Sequence, residues 1–391
     1  DDEPVEVREA PLAAIRKALG AKSAPIADLP FCGGAIGFLG YDLARSLGDL
    51  PFRPGLDGWP EMAVGIYDWA VVVDHARRRS YFVRQGRDPR GDLPWQSALR
   101  RMLAVGAQAP PAGAVNGTLI EPGIPRARYR RGFERIARYI RDGDCYQVNY
   151  TQRFDAYVEG DGWQAYREMR ALNPVPFGAF LRFDELEILS FSPERFLKLE
   201  GRRVTTEPIK GTRPRSEDPG KDLRLQRELS QSIKDRAENL MIVDLLRNDL
   251  GRVCEPGSIG VRDLFKVESF PTVHHMVSTV SGRLRDGEDA MSLLRACFPG
   301  GSITGAPKIR AMEIIEELEP ARRGIYCGAI GHIGFNGDMD TSIVIRTLVR
   351  RGDRAHYWVG GGIVADSDPD EEYQECLDKA RAFRRYFSPV D

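Results

Sequence analysis

The stretch ELEILSFSPERFLKLEGRRVTTEP, residues 185–208, reads as strand, turn, strand. Around it the same texture repeats. CYQVNYTQRFDAYV (145–158) alternates polar and apolar residues, and HHMVSTVSGRL (274–284), GAIGHIGF (328–335), TSIVIRTLVRR (341–351) and RAHYWVGGGIVA (354–365) are further strand candidates. Helical spacing is confined to a few segments: 126–144, a long helix expected through 223–250 because no Gly or Pro interrupts it, 305–320, and 370–387. Strands in mixed succession with few long helices do not follow the βαβ alternation of a doubly wound fold. They imply an α+β (mixed α/β) body with large antiparallel sheets.

Upstream, residues 1–108 mix short strand-like runs, such as AVGIYDWAVVVD (63–74), with turn-rich pieces, and residues 109–125 gather Pro, Gly and Ala into a candidate linker. The 391 residues carry 56 Lys+Arg against 57 Asp+Glu. Near-zero net charge argues against a nucleic-acid or membrane-surface role, since both favour a basic face. No run reaches the ~18 apolar residues that span a bilayer, and the first residues are acidic where a signal peptide is basic and then apolar, so a cytoplasmic protein is expected. Six cysteines are scattered without a CxxC pair, which gives neither a zinc site nor a redox motif.

Several residues invite a chemical reading. Lys210, in TEPIKGTRPR (206–215), stands between Pro208, which stiffens the backbone, and Gly211, which opens it, with Arg213 and Arg215 close by. Burial and neighbouring positive charge both lower an amine's pKa and enlarge its nucleophilic fraction. A surface loop with three solvated cations fits the same composition. Asp235 with Glu238, and Glu372 with Glu375, are spaced i, i+3 on expected helices, so each pair shares a face, and Lys379 lies four residues beyond Glu375. Four carboxylates brought together need a cation, and Mg²⁺ suits oxygen ligands and retained waters. Taken singly, each pair also describes a solvated helix face. FPGGSITGAPK (298–308) lacks phosphate-loop spacing. VGGGIV (359–364) lets a ligand or a neighbouring segment approach its backbone. Arg346 interrupts an apolar strand and needs an anion, which a ligand carboxylate or an internal ion pair would supply equally well. His274 and His275 are adjacent strand positions, so at most one faces a given site.

Taken in order, GDCYQVNYTQRF, FSPERF, TEPIKGTRPR, KDRAENLMIVDLLRNDLGRV, VHHMVSTVSG, FPGGSITGAPKIRAMEIIEELEP, YCGAIG, MDTSIVIRTL and GGGIVADSDPDEEYQECLDKA resemble the chorismate-utilising enzymes across 126–383. PFCGGAIGFLGYDLA (31–45) is similar to that family's amino-terminal region. The resemblance implies a fold like that of anthranilate synthase component I, with two large, mostly antiparallel β-sheets packed together and flanked by helices. It divides the chain into an amino-terminal region (1–108), the linker (109–125) and a chorismate-binding catalytic domain (126–387).

Within the family, the residue before the Gly-Thr of PIxGT separates branches: Ala in anthranilate synthase component I, Lys in aminodeoxychorismate synthase component I. Lys210 therefore implies the second branch, which makes 4-amino-4-deoxychorismate for p-aminobenzoate and folate. The implied route is attack of the lysine amine on the ring carbon next to the carboxylate-bearing one, with loss of the ring hydroxyl, and then displacement of the lysine by ammonia. Glu194, in SPERF, matches the acid that protonates the leaving hydroxyl. Glu238 and Glu375 match direct Mg²⁺ ligands, with Asp235 and Glu372 direct or through water. Arg346 and Tyr326 match the enolpyruvyl-carboxylate site and His275 the ring contact. Gly211, Thr212, Ser302, Gly360, Gly362 and Lys379 match the rest of the substrate shell. A glutamine amidotransferase subunit is the expected ammonia source. Asn239 stands where the family commonly has His. NPVPF (173–177) resembles half of a tryptophan-pocket motif whose other half is not visible upstream of residue 31, so tryptophan is a further candidate ligand. The competing readings are anthranilate synthase component I and a non-catalytic chorismate- or tryptophan-binding regulator.

Overall fold

The computed structural model describes residues 10–26, 28–48, 59–88, 94–104, 116–122, 124–172 and 174–387. The amino-terminal part carries α1 (Pro11–Leu19), β1 (Gly34–Leu39), the short α2 (Ala44–Leu47), β2 (Met62–Tyr67), β3 (Trp69–Asp74), β4 (Arg79–Arg84) and α3 (Pro94–Ala104). There follow β5 (Asn116–Pro122), α4 (Arg126–Arg141), β6 (Gln147–Glu159), α5 (Gly162–Leu172), β7 (Phe177–Phe183), β8 (Leu186–Ser192), β9 (Arg195–Glu200), β10 (Arg203–Glu207) and β11 (Ile209–Pro214). Next come α6 (Pro219–Gln231), α7 (Ile233–Gly251), β12 (Gly260–Ser269), β13 (Val273–Arg283), α8 (Ala290–Cys297), β14 (Gly305–Ala306) and α9 (Lys308–Leu318). The chain ends with β15 (Ala329–Gly334), β16 (Met339–Ile343), β17 (Thr347–Arg351), β18 (Arg354–Ile363) and α10 (Pro369–Phe387).

Among the described residues the strands form a nine-stranded sheet, ordered β11-β13-β10-β9-β16-β15-β1-β2 with β12 beside β13, and a seven-stranded sheet, ordered β14-β6-β18-β17-β8-β7 with β5 beside β6. The pairings are antiparallel, for example β18 on β6 and β15 on β1. Strand alternation shows how the layers stack. Ile188, Val349 and Trp358 belong to a core shared with the nine-stranded sheet, whereas their chain neighbours Leu189, Leu348, Tyr357 and Val359 belong to a core with α4, α5, α9 and α10. The seven-stranded sheet is thus buried on both faces, which is why β8 is buried at each of its residues instead of alternating. The expected α+β architecture of two antiparallel sheets flanked by helices is what the chain forms.

Three details differ from the sequence reading. The helix expected through 223–250 is two helices, α6 and α7. Ser232 adopts an extended conformation (φ −62°, ψ 111°), and its hydroxyl accepts the Asp235 N–H, so it caps α7 where no Gly or Pro marks a break. Residues 116–122 of the expected linker form β5, paired with β6, while 105–115 lie outside the described residues. TSIVIRTLVRR is two strands in different sheets: Arg346 has φ +50°, and the chain passes there from β16 in one sheet to β17 in the other. The opening stretch makes a parallel passage, from β8 to β9 across Ser192–Arg195. Backbone bonds from Phe191 N–H to the Arg346 carbonyl (3.1 Å) and from Ile343 N–H to the Glu194 carbonyl (3.1 Å) hold the two crossings together. In the amino-terminal region, β1 and β2 extend the nine-stranded sheet and β3 pairs with β4.

Candidate active site

The paired crossings position the first two site residues. Glu194 is 5% exposed. Neither nearby arginine is tied to it: Arg195 pairs with Asp340 (3.0 Å) and Glu207, and Arg153 with Asp155 (2.8 Å). Burial pushes the Glu194 carboxyl up to about 6, against the opposing pull of the Ser302 hydroxyl, the Lys210 charge and the Ile209 N–H. Arg346, at the other crossing, has no ion pair or side-chain hydrogen bond among the described residues, and burial lowers its pKa. An internal ion pair therefore does not account for it. A desolvated guanidinium without a carboxylate is matched to an anionic ligand.

β10 and β11 lie along one edge of β13, and β11 brings the lysine in. Lys210 is half-buried, and its Nζ donates to the Ser302 carbonyl at 3.3 Å. Burial lowers its pKa, while the charges of Glu238, Glu194 and Glu375 act in the opposite direction. Gly211 has φ +84°, and a Cβ there would stand 2.9 Å from both Asp235 Cγ and Leu229 Cδ1, so only glycine fits. Thr212 Oγ1 meets His275 Nδ1 at 2.9 Å. Burial and the neighbouring Arg346 push His275 down to about 4, which leaves the ring neutral at pH 7. His274 takes the other face, with Nε2 3.0 Å from Asp222 Oδ1.

α7 and α10 supply the acids. Asp235 is bound by Arg213 (3.1 Å), while Glu238 has no hydrogen-bond or ion-pair partner among the described residues. Burial raises Glu238, opposed by Lys210 and Lys234. On α10, buried Glu372 accepts from Ser367 Oγ (2.7 Å), and Glu375 meets Lys379 Nζ at 2.7 Å on the exposed rim. Burial raises Glu372, whereas Lys379 draws Glu375 below its usual value. Glu375 acts on Glu238, and Lys234 acts on Glu238, Glu372 and Glu375 alike, so the two helices face one another. Among the described residues, no group of three or more His, Cys, Asp or Glu converges into a ready-made metal cage. The arrangement fits a hard cation that keeps waters and completes its shell with ligand oxygen.

The three glycines of β18 divide between faces. A Cβ on Gly361 would stand 2.8 Å from Glu372 Oε2 and 3.8 Å from Glu375 Oε1, so its missing side chain makes room for the acids. The sequence reading named Gly360 and Gly362 and passed over Gly361, although period-two alternation separates it from them. The Gly360 carbonyl accepts from Lys379 Nζ (2.7 Å), and a Cβ on Gly362 would meet the Gln147 amide at 3.0–3.3 Å. Gln147 was also missed. It is fully buried on the face shared with the nine-stranded sheet, and neither of its amide heteroatoms has a partner among the described residues. Tyr326 is buried and stacks on Trp358 (centroids 5.9 Å, interplanar 8°); the Cys327 N–H to Val344 carbonyl bond (2.8 Å) ties its segment to the crossing before Arg346. Asn239 accepts from the Ser278 hydroxyl (2.5 Å) inside the core. Asn173 of the tryptophan-pocket motif lies outside the described residues.

A buried acid and a half-buried amine meet at Ser302, Arg346 lies near His275 with no ion pair among the described residues, and two helices present carboxylates. The family description "chorismate binding enzyme" matches residues 2–385. The chain is 52% identical to aminodeoxychorismate synthase component 1 of Klebsiella aerogenes over 356 residues, covering 91% of this chain and 77% of that protein. It is 43% identical to anthranilate synthase component 1 of Streptomyces coelicolor, covering 95% of this chain and 76% of that protein. The crystal structure of anthranilate synthase component I from Streptococcus pneumoniae superposes with a TM-score of 0.85 at 34% identity, covering 98% of this chain and 86% of that one. The chain belongs to the chorismate binding enzyme family.

Proposed function

We propose that this enzyme converts chorismate and ammonia into 4-amino-4-deoxychorismate and water, the amine transfer that precedes p-aminobenzoate in folate synthesis. The observation that carries the reading is that Lys210 and Glu194 meet around Ser302: its carbonyl accepts from Lys210 Nζ at 3.3 Å, its hydroxyl opposes the effect of burial on the Glu194 carboxyl, and the lysine and carboxyl charges act on one another. In the first step the neutral Lys210 amine bonds to the ring carbon next to the carboxylate-bearing one, the ring double bonds shift, and the ring hydroxyl leaves as water with the proton of Glu194. Ammonia then bonds to the carbon that lost the hydroxyl, and Lys210 departs. Burial favours this division of labour, since it raises the acid and lowers the amine. Arg346 would hold the enolpyruvyl carboxylate, and His275, neutral and fixed by Thr212, would bind the ring without adding charge.

Glu238 and Glu375 would hold Mg²⁺ directly, with Asp235 and Glu372 behind them. When bound, the ion would neutralise the ring carboxylate and stabilise charge as it develops. The relatives include anthranilate synthases at 43% identity, so overall identity does not choose the product; Lys210 in PIKGT is what favours the amino-deoxy branch. The ammonia is proposed to come from a glutamine amidotransferase subunit. All six thiols of this chain are pushed up by burial, and none is poised as the thiolate that glutamine hydrolysis needs.

The test is product identification from chorismate, Mg²⁺ and ammonium. Aminodeoxychorismate, convertible to p-aminobenzoate by an added lyase, is the expected product. Fluorescent anthranilate in its place would overturn the reading. Lys210→Ala should abolish turnover, and an undiminished rate in that variant would rule out the covalent route.

A further inference from the structure

Arg323 is the largest fully buried side chain among the described residues, and the proposed chemistry does not use it. Its Nε and Nη2 donate to the two oxygens of Glu319 (2.9 and 2.7 Å), the residue that closes α9. Thr151 of β6 gives the same carboxylate both its N–H and its hydroxyl (2.8 Å each). The guanidinium also grips backbone: Nη1 donates to the Ile303 carbonyl (2.7 Å) and Nη2 to the Asn149 carbonyl (2.6 Å). It lies 4.7 Å from the centre of the buried Tyr41 ring. A buried ion pair adds little to stability by itself, because the cost of desolvating two charges offsets most of their attraction. What it supplies is geometry. A planar fork has fixed directions, and here they end on separate segments of the chain.

Each of those segments leads to a candidate site residue. Ile303 follows Ser302, whose carbonyl accepts from Lys210 Nζ. Asn149 and Thr151 are the cross-strand partners of Gly362 and Gly360. The Arg323 carbonyl accepts the Tyr326 N–H (3.0 Å), and the Arg322 carbonyl accepts from Nε1 of Trp358 (3.2 Å), the ring on which Tyr326 stacks. The amino-terminal part joins at the same turn, where Asp42 Oδ2 accepts the Gly324 N–H (3.1 Å). A second buried carboxylate gives the contrast. Glu187 pairs with Arg182 of β7 (2.7 Å) and Arg350 of β17 (3.3 Å), at the opposite end of β8 from the Ser192–Arg195 crossing. That cluster ties strands together without gripping any of the segments that Arg323 holds.

We propose that Arg323, oriented by Glu319, is a positioning residue for the reaction: it fixes the backbone of Ser302, of Tyr326 and of the β6–β18 pair relative to one another, and so sets where the Lys210 amine stands against the substrate ring. The inference rests on the proposed function in one respect, that Lys210 is the reacting amine. Arg323 itself touches no reacting atom. Its effect passes through carbonyls that only a fork can hold together, and a displacement of about 1 Å at a reacting group is enough to slow a step by up to about 10²-fold.

The test uses the whole chain with chorismate, Mg²⁺ and ammonium. Arg323→Met alone leaves Glu319 charged and unpaired in the interior, which threatens the fold. The double variant Arg323→Met, Glu319→Gln removes both charges and keeps an oxygen for Thr151. It should melt close to the native chain by circular dichroism, while kcat falls about 10-fold or more and KM for chorismate moves about 3-fold or less. Arg323→Lys keeps the charge without the fork, so its kcat should lie between those of the native chain and the double variant. Glu187→Gln breaks the buried pair outside the site and should leave kcat within about 2-fold of native. A kcat within about 2-fold of native in the double variant would overturn the proposal, and the same limit applied to Arg323→Lys decides if the double variant does not fold. An equal loss in Glu187→Gln would also overturn it, since any loosened buried pair would then have the same effect. Turnover is read on whichever ring product the native chain forms. Anthranilate in place of aminodeoxychorismate would therefore defeat the proposed function and leave this comparison intact.

Discussion

α7 and α10 present acids at the same i, i+3 spacing, but they hold them in different states. In each pair the first carboxylate is fastened under a glycine. Asp235 is clasped by Arg213 beneath Gly211, and Glu372 takes the Ser367 hydroxyl beneath Gly361. The second is turned to the site: Glu238 toward Lys210 with no hydrogen-bond or ion-pair partner among the described residues, and Glu375 onto Lys379 at the rim. Burial raises Glu238, whereas a cation lowers Glu375. Spacing puts two side chains on one face; what each meets there decides its charge. A cation reaching Glu238 relieves an unfavourable carboxylate, while at Glu375 it must displace Lys379.

The largest expected effects come from removing the outward members. On the proposed Mg²⁺ ligation, Glu238→Gln and Glu375→Gln should each lower kcat/KM with ammonium on the order of 10²-fold, because each would remove a ligand oxygen where charge develops. Asp235→Asn and Glu372→Gln should cost about 10-fold, seen mainly as a raised Mg²⁺ half-saturation, as groups that orient a neighbouring ligand do. If the first members proved costlier than the second, the comparison between inner and outer carboxylates would be reversed.

The roofing glycines sharpen the contrast. Gly361→Ala places a methyl 2.8 Å from Glu372 Oε2, so activity should fall about 10-fold with little change in Tm. Gly211→Ala also crowds Asp235 and Leu229 at φ +84°, which adds a backbone cost of about 1–2 kcal/mol. Thermal unfolding of the pair should therefore separate them, with Gly211→Ala melting lower. Equal melting would mean that the β11 glycine is not held in its left-handed conformation in solution.

Glu194 is a third kind of carboxyl, buried beside Ser302 without a clasping cation. Its folded pKa lies above its ordinary value, so the protonated form is the comfortable one. Its contribution to stability is complete below the unfolded pKa near 4.5 and is lost as pH rises through about 6. Glu194→Gln should then gain about 2 kcal/mol over the native chain at pH 7.5 and nothing near pH 4. In the proposed reaction the same group would supply a proton less often above pH 6, so kcat/KM should lose its alkaline limb in the variant, together with most of its magnitude. A variant that kept that limb would assign it to another group.

Much of this was legible in the chain because local rules and global fold agree. Period-two alternation in β6 and β18 and helical spacing in α10 describe the elements as they stand. What was not legible was tertiary. Nothing local in TSIVIRTLVRR says that Arg346 turns the chain from one sheet into the other, since its left-handed backbone is stabilised by the neighbouring crossing through the Phe191 N–H. Residues 116–122 read as linker because Pro and Gly surround them, yet the free edge of β6 recruits them. Gly361 and Gln147 were overlooked for a shared reason: each acts by what it leaves open or unpaired, and that is visible only with the neighbours in place. The break at Ser232 did carry a local sign, Ser232 followed three residues later by Asp235, and a long Gly- and Pro-free run outweighed it.

That cap supplies the smallest and most discriminating test. Both acid helices start on a side-chain acceptor: Ser232 takes the Asp235 N–H (3.2 Å), and Asp368 takes the N–H groups of Asp370 (2.9 Å) and Glu371 (3.1 Å). Alanine at either should cost about 1 kcal/mol of stability, measured by denaturant unfolding. Their effects on activity should differ. In α7 the first side chain, Ile233, is 86% exposed and the buried contacts begin only at Asn239, so the cap, with the Arg213–Asp235 pair (3.1 Å), holds the turn that carries Asp235 and Glu238. Without it the backbone at 232 is free to continue α6 as helix, and the acids turn with it. In α10 the Ser367 hydroxyl still holds Glu372, and Cys376, Ala380 and Phe383 anchor the helix from below. Ser232→Ala should therefore lower turnover a few-fold and raise the Mg²⁺ half-saturation, whereas Asp368→Ala should lower stability and leave turnover nearly unchanged. Equal losses of activity would show that packing, not capping, sets where α7 begins.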